Sequence, residues 1–195
     1  MSNTNIIKAN LADSVKLKSN VLEDQNLIEL IAKLADVMVS CFKNKGKVLW
    51  CGNGGSAADA QHIAAELSGR YYYDREPLNS EALHVNTSYL TAVANDYSYN
   101  EIYARYVRAV GEEKDVLVGL STSGNSANVV RAFEDANKLG LTTIAFTGES
   151  GGELSEIANY TIKIPSNDTP RIQECHLLIG HALCQIIETE LFPNS

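Results

Sequence analysis

Lys47-Val48-Leu49-Trp50-Cys51 runs directly into Gly52-Asn53-Gly54-Gly55-Ser56, and Asp115-Val116-Leu117-Val118-Gly119-Leu120 runs directly into Ser121-Thr122-Ser123-Gly124-Asn125-Ser126. Both apolar runs have strand length and stop at turn-forming residues. Each loop then opens a helical stretch, Ala57 to Ser68 after the first and Ala127 to Leu139 after the second. A strand, a tight loop and a helix, twice over, are the unit of an α/β fold with a parallel sheet.

Working outward, Ala82–Asn86, Thr142–Phe146 and Tyr160–Ile164 read as further strands. Helices are expected at 87–94, 99–110 and 152–158, with a long one over 169–189. Upstream, residues 5–22 and 26–43 read as two amphipathic helices. In the second, Leu27, Leu30, Ile31, Leu34, Val37 and Met38 recur at helical spacing. The expected architecture is a three-layer α/β sandwich: a parallel sheet flanked by helices, with an N-terminal helical extension. We expect one domain over 1–195, with 1–44 as the extension and 45–195 as the core.

The 195 residues carry 16 Lys+Arg against 24 Asp+Glu, a formal net charge of −8. That balance disfavours nucleic acid and anionic membrane surfaces, which call for a basic face. The composition is 45% hydrophobic, enough for a core. Cys41, Cys51, Cys175 and Cys184 fit no zinc or disulfide spacing. No apolar run approaches the ~18 residues of a membrane span. The expected setting is cytoplasmic, with reduced thiols.

The first loop is not a P-loop, because no Gly-Lys-Ser/Thr follows it. Gly52, Gly54 and Ala57 satisfy G-x-G-x-x-A, but the acid a dinucleotide needs ~20 residues on has only Asp74 to supply it, in a Tyr-rich loop. A helix cap at Ser56 and an anion on free amides remain as readings. The second loop has four hydroxyls in six residues, Ser121, Thr122, Ser123 and Ser126. That exceeds what capping uses, and hydroxyls with helix N-terminal amides make a phosphate cradle that needs no lysine.

His62 and Glu66 stand four apart on the helix after the first loop, on one face. On the last helix Gln173 and His181 are eight apart, ~12 Å along the axis. A His, a Glu, a Gln and a second His have donor atoms for a first-row metal such as zinc. Taken singly, each also suits a packed or solvated helix face. His84 and His176 read as structural. Asn95 and Asp96 close a short helix, where Asp96 is either a turn residue or a second acid–base group. Arg70 and Arg171 flank the helices bearing Glu66 and Gln173, where an anionic substrate would meet them. Tyr71, Tyr72 and Tyr73 suit a subunit interface.

CGNGGSAADAQHIAAELSGR (51–70), AVANDY (92–97), LSTSGNS (120–126) and IPSNDTPRIQECHLLIGHALCQ (164–185) together resemble the phosphoheptose isomerase family of sugar isomerase (SIS) domains. The resemblance spans about residues 45–190. It implies a five-stranded parallel sheet and a homotetramer with sites at subunit interfaces. It implies conversion of sedoheptulose 7-phosphate to D-glycero-D-manno-heptose 7-phosphate, the first step toward nucleotide-activated heptose for lipopolysaccharide or surface glycans. It implies one Zn2+ per subunit on His62, Glu66, Gln173 and His181. Substrate contacts fall on Asn53, Gly54, Gly55, Ser56, Glu66, Arg70, Asn95, Asp96, Ser121, Thr122, Ser123, Ser126 and Gln173. Glu66 is the expected base, with Asp96 as its rival, and His181 the acid–base group at the substrate oxygens. A related binding protein of the same fold, the bacterial DnaA initiator-associating protein, supplies the alternative. Its family lacks the acid at the Glu66 position and the histidine at the His181 position, and carries Arg where Ser123 stands here.

Overall fold

The computed structural model describes residues 2–193. Five strands, β1 (Val48–Gly52), β2 (Ser80–Ala82), β3 (Val116–Leu120), β4 (Thr142–Thr147) and β5 (Tyr160–Lys163), form one sheet in the order β2-β1-β3-β4-β5. Every pairing is parallel. The helices are α1 (Asn3–Glu23), α2 (Gln25–Lys43), α3 (Gly55–Ser68), α4 (Thr87–Asp96), α5 (Ile102–Val110), α6 (Ala127–Leu139), α7 (Leu154–Ile157) and α8 (Thr169–Leu191).

Alternation along the strands builds two cores. Val48, Trp50, Val116, Val118, Ile144 and Phe146 point to the face covered by α1, α2, α3 and α8. Leu49, Cys51, Leu117 and Ala145 point to the face covered by α4, α5, α6 and α7. A sheet buried on both faces needs apolar side chains in both registers, which is why its strands read as continuous apolar runs.

Three expectations shift. The second strand lies at Ser80–Ala82 rather than 82–86. The Trp50 indole donates to Ser80 Oγ, which fixes that register, and the chain turns away at Val85, whose amide reaches back to the Ala82 carbonyl. The helix expected over 99–110 begins with a 3-10 turn at Tyr99–Glu101. Helix α3 starts at Gly55, two residues early, with Gly54 as its N-cap. Ser56 is therefore inside the helix and buried, and it does not cap it.

Helices α3 and α8 pack side by side and run parallel. Gln173 meets Gly55, Gly180 meets Ile63, His181 meets His62, and Glu188 meets Tyr71. A Cβ on Gly180 would lie 2.7 Å from the Ile63 side chain, so glycine sets the close approach. This pairing brings two stretches more than a hundred residues apart into one site.

Candidate active site

Loops leave the carboxyl ends of β1 and β3 side by side, the position where open α/β sheets take ligands. Asn53 and Asn128 lock them together. Each side-chain amide donates to the other's carbonyl at 2.8 Å, and Asn53 Oδ1 also accepts the Tyr99 hydroxyl. In the second loop Ser121 Oγ and Ser126 Oγ lie 2.8 Å apart. Ser126 is the N-cap of α6, yet its hydroxyl bonds no helix amide. The Val129 and Val130 amides bond the Ser126 carbonyl, while the Ala127 and Asn128 amides have no intrahelical partner, so these two amides and the hydroxyl pair could hold an anion. Thr122 is half-buried and Ser123 exposed, and Ser123 Oγ accepts the Asn125 amide. Gly124 has φ +69°, and a Cβ there would overlap the Gly151 carbonyl, so glycine shapes this loop.

Down the exposed face of α3, His62 Nε2 lies 3.2 Å from Glu66 Oε1 and 2.9 Å from His181 Nε2. Ligand atoms of the three residues all fall within 4.8 Å of one another. Two imidazole nitrogens and a carboxylate suit a divalent ion of borderline softness. A tetrahedral ion about 2.0–2.1 Å from each nitrogen would hold the pair about 3.3 Å apart, close to the spacing found. The donor set fits a metal. Burial holds the His181 imidazole below its usual range, and His62 adds to this while Glu66 opposes it. A neutral imidazole is the ligand form.

Gln173 stands against Gly55, with its amide nitrogen 3.4 Å from Ser56 Oγ. It therefore sits at the start of α3, while His181 sits two turns further along. Asn95 and Asp96 are exposed at the end of α4, and Asn95 donates to Asp96 Oδ1. Arg70 is exposed just past α3. Arg171 donates to the Asn10 carbonyl and pairs with Glu174, so it ties α8 to α1 instead of facing an anion. His176 is buried, with Nε2 on the Thr147 carbonyl, and burial pushes its pKa down to about 4.

Sequence reasoning missed three groups. Asn128 braces Asn53, and its only signal is an amide on the buried side of α6. Tyr71 stacks on His181, with ring centroids 5.8 Å apart and an interplanar angle of 22°. Burial and the neighbouring Tyr72 push its hydroxyl up to about 12. Arg75 and Glu188 form a buried pair behind Tyr71.

The SIS domain family model matches residues 11–148. The phosphoheptose isomerase of Clostridium acetobutylicum is 49% identical over 188 residues, covering 96% of both chains. Phosphoheptose isomerase 2 of Campylobacter jejuni is 49% identical over 193 residues, covering 98% of this chain and 96% of its own. Among solved structures, the phosphoheptose isomerase of Francisella tularensis superposes with a TM-score of 0.93 at 39% identity, covering 97% of this chain and 100% of its own. The protein is thus of the sugar isomerase class in fold and site, and the chain belongs to the SIS domain family and, within it, to the phosphoheptose isomerases.

Proposed function

We propose that the chain interconverts sedoheptulose 7-phosphate and D-glycero-D-manno-heptose 7-phosphate. The observation that carries this is the convergence of His62, Glu66 and His181 within 4.8 Å, in a chain 49% identical to a phosphoheptose isomerase. Aldose–ketose isomerisation moves a proton between adjacent carbons through an enediol, so it needs a base and a group to exchange protons at oxygen.

The hydroxyl loop, Ser121, Thr122, Ser123 and Ser126, holds the phosphate, with Asn53, Gly54, Gly55 and Ser56 beside it. Its binding energy orients the sugar. From Ser56 to His62 is about 9 Å along α3. The phosphate and the reacting carbons lie at opposite ends of the substrate, so binding at the loop directs the reacting end down α3. Glu66 takes the proton from C1 of the ketose and returns it to C2. His181 takes the proton from the C1 hydroxyl and delivers one to the C2 oxygen, so the balance closes without a cosubstrate. Asp96, hydrogen-bonded to Asn95 at the end of α4, is the less supported base. Arg70, Asn95 and Gln173 complete the substrate contacts.

His62, Glu66 and His181 would hold one Zn2+ per subunit, and Gln173, whose amide lies at Ser56 Oγ, would turn its side chain toward them to serve as fourth ligand. That ion would supply polarisation of the carbonyl and stabilisation of developing negative charge on oxygen. The Glu66 oxygen and the His181 nitrogen that exchange protons with the substrate would have to be free of metal when they do so.

We extend the reading to a single-domain subunit, 1–195, in a cytoplasmic homotetramer serving lipopolysaccharide or surface-glycan heptose synthesis. Among the described residues no helix is long and apolar enough to cross a membrane. Ile7, Leu11, Val15 and Leu22 support the assembly: all are exposed and fall within about 80° of one helical wheel, while Leu17 and Val21 pack inward. A non-catalytic binding role has no use for the Glu66–His181 arrangement.

Incubation of the purified chain with sedoheptulose 7-phosphate tests the proposal. Formation of the aldose phosphate is the expected result. Binding of the sugar phosphate without turnover would overturn it.

A further inference from the structure

Behind the site lies a buried ion pair. The Arg75 and Glu188 side chains are 0% and 1% exposed, and Arg75 Nε donates to Glu188 Oε1 at 2.9 Å. The same carboxylate accepts three consecutive backbone amides, from Tyr71, Tyr72 and Tyr73, at 3.2, 2.7 and 3.1 Å. Desolvation works to raise the Glu188 carboxyl, but the amides and Arg75 outweigh it and hold it below the usual range. Arg75 has further donors. Nη1 bonds the carbonyls of Leu67, Gly69 and Glu76, and Nη2 bonds the carbonyl of Glu66 itself. The Phe192 ring covers the guanidinium.

These contacts reach the site from two directions. Arg75 satisfies carbonyls left open by the last turn of α3, the turn that carries Glu66. Glu188 sets the backbone of the residue whose ring lies on His181. It does so from α8, the helix that bears His181. Burial of both side chains keeps them out of reach of any substrate, so their influence passes through Glu66 and Tyr71.

We propose that Arg75 and Glu188 are positioning residues, a clamp that fixes the Glu66 turn and seats Tyr71 against His181, so that proton transfer and metal ligation depend on a pair that touches neither substrate nor metal. This rests on the isomerase reading above. A guanidinium fork serves here because it satisfies one carboxylate and several carbonyls at once, which an ammonium cannot do.

The test uses the full chain with three variants, Glu188→Gln, Tyr71→Ala and Tyr71→Phe. kcat and KM are measured for sedoheptulose 7-phosphate at saturating Zn2+, and Zn2+ affinity by competition with a chromophoric chelator. Glu188→Gln and Tyr71→Ala are expected to lower kcat ~10–100-fold and to weaken Zn2+ binding by ~10-fold or more. KM should stay within about threefold, since neither group contacts substrate. Tyr71→Phe keeps the ring and should restore kcat. Tyr71→Ala leaves no buried charge unpaired, so it carries the test if Glu188→Gln does not fold. A folded Tyr71→Ala protein with the kcat of the parent overturns the clamp, as does a loss borne by KM alone. If the parent chain itself turns over no sugar phosphate, the isomerase reading fails, and the Zn2+ arm then decides: unchanged affinity in Tyr71→Ala overturns the clamp, and weakened affinity supports it.

Discussion

At the scale of single residues, the strongest backbone constraint sits in the loop proposed to hold phosphate. Gly124 has φ +69° and its Cα faces the Gly151 carbonyl. Gly124→Ala meets both a left-handed backbone and an overlap, and should cost at least about 1–2 kcal/mol. A fall in denaturant midpoint at unchanged slope checks this, together with a rise in KM for the sugar phosphate. Much of the site was legible residue by residue. His62 and Glu66 declare themselves as an i, i+4 pair, and the hydroxyl-rich 121–126 loop exceeds what a cap needs. As a cap Ser56 misled, because the helix begins at Gly55, two residues earlier than a cap at Ser56 requires. Arg171 misled too, since an arginine beside a site can equally serve a neighbouring helix.

Among elements, the parallel packing of α3 on α8 decides the site, and no local pattern reveals it. Spacing separates Gln173 from His181 by ~12 Å but says nothing about which helix lies alongside. Register between the two helices depends on Gly180 admitting Ile63, a contact across more than a hundred residues. The place of Tyr71 at His181 stayed hidden for the same reason: an aromatic run after a helix suits an interface, and only Glu188 on α8, holding its amides, shows that the ring also meets the site. The strands were easier, because a doubly buried parallel strand is one apolar run. Only β2 slid, and there the side-chain bond from Trp50 to Ser80 overrides the local apolar pattern.

The β4–α8 contact carries a pH prediction. His176 is buried on the Thr147 carbonyl and titrates at about 4, against about 6.5 unfolded. Its folded pKa is depressed, so the neutral form is favoured in the folded state. Its contribution is complete above pH ~6.5 and is lost as pH falls from there toward 4, by up to about 3 kcal/mol. Stability curves between pH 7 and 4 should show this slope, and His176→Gln should flatten it.

For the whole molecule, the net charge of −8 and a phosphate ligand are compatible, because the proposed cradle is built from amides and hydroxyls. The exposed apolar row on α1 is the feature on which the proposed assembly rests. A Leu11→Glu, Val15→Glu double variant should elute and sediment as a smaller species than the parent, with helical content unchanged. His62, Glu66 and His181 are the proposed isomerising centre of this chain. The direct measurement is the rate of aldose phosphate formation from sedoheptulose 7-phosphate by the parent and by Glu66→Gln, at equal metal content. Glu66→Gln keeps the shape and removes the base. Turnover by the parent and a fall of ~10²–10⁴ in the variant are expected. A Glu66→Gln protein that turns over at the parental rate would contradict this assignment.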